Sequence, residues 1–350
     1  MSKLLKYDDF LALDEESGKY YLPADQQVRD ETERHYWKTT GFTILKDWRL
    51  YLMLVPMLLV YILWKYAPMY ELLAAFKDSN TPGATTVDQQ KWFGLNNFYN
   101  LFFGEYSNAF WPAFRNTFAI AFYNLLFGFP IPIILALFFN EIRSNITRNI
   151  IQVCVYLPKF LSTVVVTSIA LLLLRKAGTN TAPGILSQFL GLFAPNNAAF
   201  QEAIKGGLFY SARYFRSLYV ITELWEHAGY DSIVFFAAVI AVSPTSYEAA
   251  QIDGAGKMQQ MRYVVIPSIL STVVIMLIMK IGGLLSVGYE KIYLLYESGN
   301  DATAQIIATL SNSWGDSRGV AAEMTNNLIG MILVIGANAV ARRAANVSLY

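Results

Sequence analysis

The sequence predicts an all-α, polytopic membrane protein with six membrane-spanning helices. Three observations carry that expectation. Of the 350 residues, 55% are hydrophobic and only 15% are charged, with a mean hydropathy of +0.34, whereas a soluble domain carries about 25% charged residues. The apolar residues gather in six runs too long for ordinary core helices, and a span needs about 20 such residues to cross some 30 Å of hydrocarbon. Three of the runs contain prolines, which membrane helices tolerate where they line a cavity or pack in a bundle.

The expected spans fall at about 50–76 with Pro56 and Pro68, 116–139 with Pro130 and Pro132, 150–174 with Pro158 near its start, 217–242, 267–287 and 326–341. Residues 1–48 are polar and charged, without a leading apolar h-region. They read as a cytoplasmic N-terminal segment with a short surface helix near Tyr7–Leu13, ahead of a six-helix domain over 49–350. The short connections carry Arg143, Arg148, Lys257 and Arg262, while Lys46, Arg49, Arg342 and Arg343 flank the outermost spans. The positive-inside rule places these residues, and both termini, in the cytoplasm. The 175–216 loop is basic too, but long loops weigh little in that rule. Its apolar patch Gly184–Phe193 suggests a small element over the mouth of the bundle.

Composition also excludes several classes. A formal net charge of +1 gives no basic footprint for nucleic acid. Cys154 is the single cysteine and cannot form an intrachain disulfide, and with only two histidines no metal site is expected.

Between spans four and five the chain reads YEAAQIDGAGKMQQMRYVVIP, from Tyr247 to Pro267, within a connecting loop over 244–266. Ala249, Ala250, Gly254 and Ala255 are small enough to let a short helix sit deep in a partner's groove. Gly254 permits a bend or a close approach, and Glu248 and Asp253 offer charges to basic groups. Pro267 is suited to the first turn of the next span, where its missing N–H costs nothing. The stretch Gly254-Ala-Gly-Lys257 fails as a phosphate loop, since Gln251 stands where the first glycine belongs and Met258 where the hydroxyl belongs. With Glu248, Ala249, Ala250 and Gly254 matching outright and Val264-Val265-Ile266-Pro267 conservatively, the loop resembles the EAA signature of binding-protein-dependent ABC importers.

The resemblance extends from about Arg49 to Tyr350. The runs YLMLVPMLLVYILWKYAPMY, AAFKDSN, FGLNNF, FRNTF, GFPIPIILALFFNEIR, QVCVYLPKFLSTVV and LSVGYEKIYLL are similar to the LplB-type permeases, a branch of the maltose-type (MalF-like) sugar permeases. Two departures are Glu71, where glycine is expected, and Lys159, where histidine is expected. The resemblance implies the type I, MetI-like permease fold and a bacterial plasma-membrane location. It implies a second homologous permease, two ATPase subunits that bind ATP-Mg, and an extracellular sugar-binding lipoprotein. It further implies no cofactor on this chain, no chemistry on the substrate, and an oligosaccharide or polysaccharide fragment as cargo.

Ionisable residues inside a membrane are expensive and mark functional candidates. Lys280 lies about 20 Å beyond Pro267 along span five, and Lys159 follows Pro158 in span three. In span four Glu223, Glu226, His227 and Tyr230 recur at three- and four-residue spacing and share a helix face. By the resemblance, Lys159, Glu226, His227, Tyr230, Lys280 and Gly283 fall at or beside the family's sugar contacts. Blander readings stand beside this one. Lys280 would then pair with Glu226 or Glu223, Glu223 and Asp231 would be near-interface charges, and Trp225 and Tyr230 would serve packing or an interfacial belt. Two lysines facing the path would favour a saccharide bearing carboxylates. The competing functions are an ABC permease for peptides or amino acids, a secondary transporter, for which no inverted repeat is visible, and a membrane enzyme, for which no catalytic cluster stands on the cytoplasmic loops.

Overall fold

The computed structural model describes residues 48–345, apart from Asn180, Ala194 and Ser298, together with residues 12–13 and 20–21. The chain divides into two units, residues 1–70 and 71–350. In the first unit Ala12–Leu13 (β1) pairs antiparallel with Tyr20–Tyr21 (β2). The surface helix expected near Tyr7–Leu13 is therefore a strand where it is described, and its residues 7–11 lie outside the described residues. Helix α1, Trp48–Tyr61, continues through a π turn at Ile62–Tyr66 into a 3-10 segment at Ala67–Phe76. Pro68 lacks the N–H that an α-ladder requires, and the helix absorbs this by changing its winding.

Among the described residues the regular structure of the second unit is helical apart from one small ladder, Lys77–Asp78 (β3) with Lys91–Trp92 (β4), and an isolated bridge between Gly178 and Thr181. After α2, Asn96–Phe102, the paired helices α3, Ser107–Gly128, and α4, Pro130–Glu141, form one long apolar stretch. Helix α3 begins well before the apolar run at 116 because Phe110 and Ala113 are buried against Leu101, Ile307, Leu310, Ala321 and Ala322. Packing extends the helix beyond the run that hydropathy marks.

The third apolar segment is not one straight helix. Helix α5, Asn145–Tyr156, ends in a 3-10 turn at Leu157–Phe160, and α6, Thr163–Leu173, leaves at 101° to it. Pro158 sits in that turn, and Ser162 caps the new helix by accepting the Val165 N–H at 3.3 Å. The proline and the serine cap together account for the break. Two short helices follow in the 175–216 loop, α7 at Ile185–Phe193 and α8 at Ala198–Gly206.

Helix α9, Phe215–Ile240, is the central element and packs most extensively on α4. The chain then turns by 68° into α10, Pro244–Ile252. After α11, Lys257–Gln260, a π turn at Met261–Val265 leads into α12, Ile266–Gly282. Pro267 stands in the first turn of α12, as expected from the sequence. The wider π turn just before it accommodates the missing N–H and lets the helix run on from Lys257.

Three short helices complete the connection to the last span: α13 at Tyr289–Leu295, α14 at Asp301–Ala304 and α15 at Ile307–Trp314. The closing helix α16, Ser317–Ala345, starts well before residue 326, with Ala321 and Ala322 fully buried. Among the described residues four helices are long and apolar enough to cross a membrane, or up to six if each bent pair counts as one span.

Side-chain hydrogen bonds fasten these connections. Asn300 is wholly buried and donates to the Phe209 carbonyl at 3.0 Å and the Leu295 carbonyl at 2.7 Å. Asn116 donates to the carbonyls of Ala302 and Gln305, and accepts from Arg216 at 2.6 Å. Tyr296 donates to Asp301, and burial together with that carboxylate pushes its phenol up to about 12.

Candidate functional site

Helix α9 passes between α3 and α12, and a cavity of about 270 Å³ opens where the three meet. Its wall takes Tyr219, Glu223, His227 and Asp231 from α9, Asn124 and Gly128 from α3, and Lys280 from α12, with Gly283 and Gly288 in the turn beyond. The Lys280 ammonium lies 3.2 Å from Asp231 Oδ2. Its partner is thus neither Glu226 nor Glu223. Those two carboxylates are held by Lys291 of α13, whose Nζ stands 2.9 Å from Glu226 Oε2 and 3.0 Å from Glu223 Oε1. His227 Nδ1 lies 3.5 Å from Glu223 Oε2. Glu223, Glu226 and His227 place three donor atoms within 4.8 Å of one another, as a metal site would. The Lys291 ammonium already supplies the cation between the two carboxylates, so the donor set does not fit a resident metal.

Of the six residues that the resemblance places at or beside the sugar contacts, the cavity brings together His227, Lys280 and Gly283. It leaves out the other three. Glu226 is buried behind the wall in its ion pair with Lys291. Tyr230 is 46% exposed and meets Phe160 edge to face at 6.3 Å. Lys159 sits half-buried on the 3-10 turn beside Phe160 and lines neither this cavity nor the one that adjoins it. Two lysines therefore do not share one cavity wall. Sequence reasoning misses Lys291 because it lies in what reads as an external loop, 65 positions from Glu226. It finds Asp231 but reads it as an interface charge.

A second cavity, of about 210 Å³, adjoins the first. It is lined by Phe129 between α3 and α4, Pro132 of α4, Phe235 of α9 and Met276 of α12, and it shares Gly128, Asp231, Met279 and Lys280 with its neighbour. Phe235 and Met276 lie nearer the ends of α9 and α12 that adjoin α10. The Lys280–Asp231 pair thus stands at the junction of two cavities stacked along the helices.

The loop at 244–266 has a buried side and an exposed one. Tyr247 is half-buried against the cluster of Val239, Val242, Val265 and Ile269, so it anchors α10. Glu248, Ala249, Asp253 and Gly254 are exposed, Ala250 and Ala255 are half-buried, and Pro267 is exposed on α12. Ile252 and Met258, which sequence reasoning passes over, are 87% and 73% exposed. Gly254 has φ +76°, with no atom within 4 Å of where a Cβ would be. Its role within this chain is the left-handed turn that ends α10, where the Ala255 N–H donates to the Ala250 carbonyl at 2.9 Å. Lys257 Nζ, 3.0 Å from Glu141 Oε2, joins the far side of that turn to the end of α4.

Comparison with known proteins assigns this arrangement. The family of binding-protein-dependent transport system inner membrane components matches residues 212–312, which hold α9 to α12 and the exposed loop. YteP of Bacillus subtilis (strain 168), a polygalacturonan/rhamnogalacturonan transport system permease protein, is 33% identical over 306 residues, covering 86% of this chain and 90% of that protein. Protein LplB of the same organism is 32% identical over 310 residues, covering 87% and 92%. Among solved structures, a chain of a bacterial ABC transporter involved in the import of the acidic polysaccharide alginate has a TM-score of 0.75 at 32% identity, covering 89% of this chain and 99% of that one. The alginate transporter in complex with an alginate pentasaccharide-bound periplasmic protein gives 0.74, also at 32% identity, covering 88% and 98%. The chain belongs to the same family as YteP and LplB, and is a membrane-spanning permease subunit of a carbohydrate ABC importer.

Proposed function

We propose that this permease carries oligosaccharides bearing carboxylates, such as fragments of acidic polysaccharides, inward across the bacterial plasma membrane. The observation that carries the reading is the Lys280–Asp231 pair at the junction of the two cavities. Both partners line the cavities, with side chains 41% and 30% exposed within this chain. An incoming carboxylate can therefore reach the Lys280 ammonium and compete with Asp231 for it. His227 and Asn124 line the same wall and offer hydrogen-bonding groups to sugar hydroxyls. The substrates named for the relatives, polygalacturonan, rhamnogalacturonan and alginate, are acidic and agree with this reading.

In the assembled importer an extracellular sugar-binding lipoprotein delivers the cargo to this chain and a second, homologous permease. Two ATPase subunits with ATP-Mg provide the energy, and this chain binds no cofactor. Both termini and the 244–266 loop face the cytoplasm. Glu248, Ala249, Ala250, Asp253, Gly254 and Ala255 seat α10 in an ATPase groove, with Ile252 and Met258 adding apolar contact. Tyr247 and Pro267 join that helix to α9 and α12. Closure of the ATPases then moves the two cavities so that they open in turn to outside and inside.

The test is transport by the reconstituted importer with Lys280→Ala, comparing an oligogalacturonate with its neutral methyl-esterified form. Preferential loss of the acidic substrate, by roughly tenfold for one unit charge, is the expected result. Equal loss of both forms would sink the acidic-cargo reading.

A further inference from the structure

A second lysine stands behind the same wall without lining the cavity. Lys291 is only 2% exposed, on a short helix outside the three that form the cavity. Its ammonium reaches across to α9 and is shared between Glu223 and Glu226. Of these, Glu223 lines the cavity and Glu226 lies buried behind it. The same ammonium stands 5.7 Å from the centre of the Tyr219 ring, another part of the wall. Glu223, Glu226 and Asp231 bring three carboxylates to this side of α9, and Lys280 and Lys291 are the cations that face them. His227 lies within 4.0 Å of both glutamates.

We infer that Lys291 is a specificity-determining residue, which offsets one of the two glutamate charges on α9 so that an anionic oligosaccharide is admitted beside Glu223. The inference rests on the acidic-cargo reading above. A carboxylate that loses its counter-ion in such a site repels an anion arriving at about 10 Å by an amount that corresponds to roughly tenfold in affinity at an effective dielectric near 20. Lys291 makes no direct contact with the cavity, so its effect on the cargo is carried through Glu223 and Glu226.

Two variants separate this role from a merely structural one. Removing Lys291 alone leaves the buried Glu226 carboxylate without its cation and endangers folding, so the charge is changed from the other side. Glu226→Gln leaves Lys291 serving Glu223 alone and is expected to raise the ratio of oligogalacturonate to methyl-ester transport several-fold. The double variant Lys291→Met with Glu226→Gln removes one charge of each sign, exposes Glu223 to the cargo, and is expected to lower that ratio roughly tenfold. The readout is ATP-dependent uptake by the complete importer in proteoliposomes, and a loss of packing alone would reduce both substrates together. An unmodified importer with no preference for the acidic form refutes the acidic-cargo reading and this inference with it. A clear preference that neither variant moves overturns the role of Lys291 alone.

Discussion

Gly229 holds the cavity-bearing helix against its neighbour more closely than any other residue type allows. It lies on α9 between His227 and Asp231, facing the end of α5. A Cβ built there would overlap the Val155 carbonyl oxygen and stand 2.7 Å from the Val155 carbonyl carbon and 2.8 Å from its Cγ1. Favourable carbon contacts lie at about 3.5–4.0 Å, so the helices must part by roughly 1 Å to admit a methyl group. In an open helix Gly→Ala stabilises by about 1 kcal/mol, whereas overpacking of this kind costs about 1–3 kcal/mol. The obstacle here is main chain that cannot change rotamer, so the cost falls at the upper end and Gly229→Ala is expected to lose about 1–2 kcal/mol net. The assay is thermal unfolding of the purified importer in detergent, with Gly330→Ala as the control, since nothing lies within 4 Å of a Cβ at Gly330. The expected pattern is a Tm lowered by several degrees for Gly229→Ala and an unchanged or slightly raised Tm for Gly330→Ala. An unaltered Tm in Gly229→Ala would refute the claim that close backbone approach sets the spacing of α9 and α5.

Two further substitutions probe the ends of the molecule. Gly254→Val forces a branched side chain onto φ +76°, a strain of about 1–2 kcal/mol confined to an exposed turn; cargo-stimulated ATPase activity should fall while the Tm of the permease hardly moves, and Gly254→Asn should retain most activity. Asn300→Ala strips the Phe209 and Leu295 carbonyls of their side-chain donor and should cost about 1–3 kcal/mol, seen as faster proteolysis near residues 296–305; unchanged proteolysis would show that Asn300 does not fasten that loop.

How much of this is legible in the sequence depends on whether the signal is contiguous. The EAA-like loop is one uninterrupted stretch, so the residues that shape it can be read directly, and only its sidedness needs coordinates. Periodicity at about 100° per residue identifies a polar face on α9 but not its boundaries. The cavity takes the arc holding Glu223, His227 and Asp231, while Glu226 and Tyr230, on the flank of that arc, turn to Lys291 and Phe160. That division depends on where α3, α12 and α13 lie around α9, which hydrophobic pattern does not encode. Lys291 is the clearest case: nothing local distinguishes it from a solvated loop lysine, and only tertiary contact makes it a buried counter-ion. Helix ends are least legible where core packing, as at Phe110 and Ala321, carries a helix past its apolar run.

The most direct test of the account is ATP-dependent uptake by proteoliposomes holding this chain with its partner permease, ATPases and sugar-binding lipoprotein. Accumulation of oligogalacturonate that requires both ATP and the ATPase subunits, and that collapses when Gly254 is replaced by valine, is the predicted result. Uptake by this chain alone, without ATP, would contradict it.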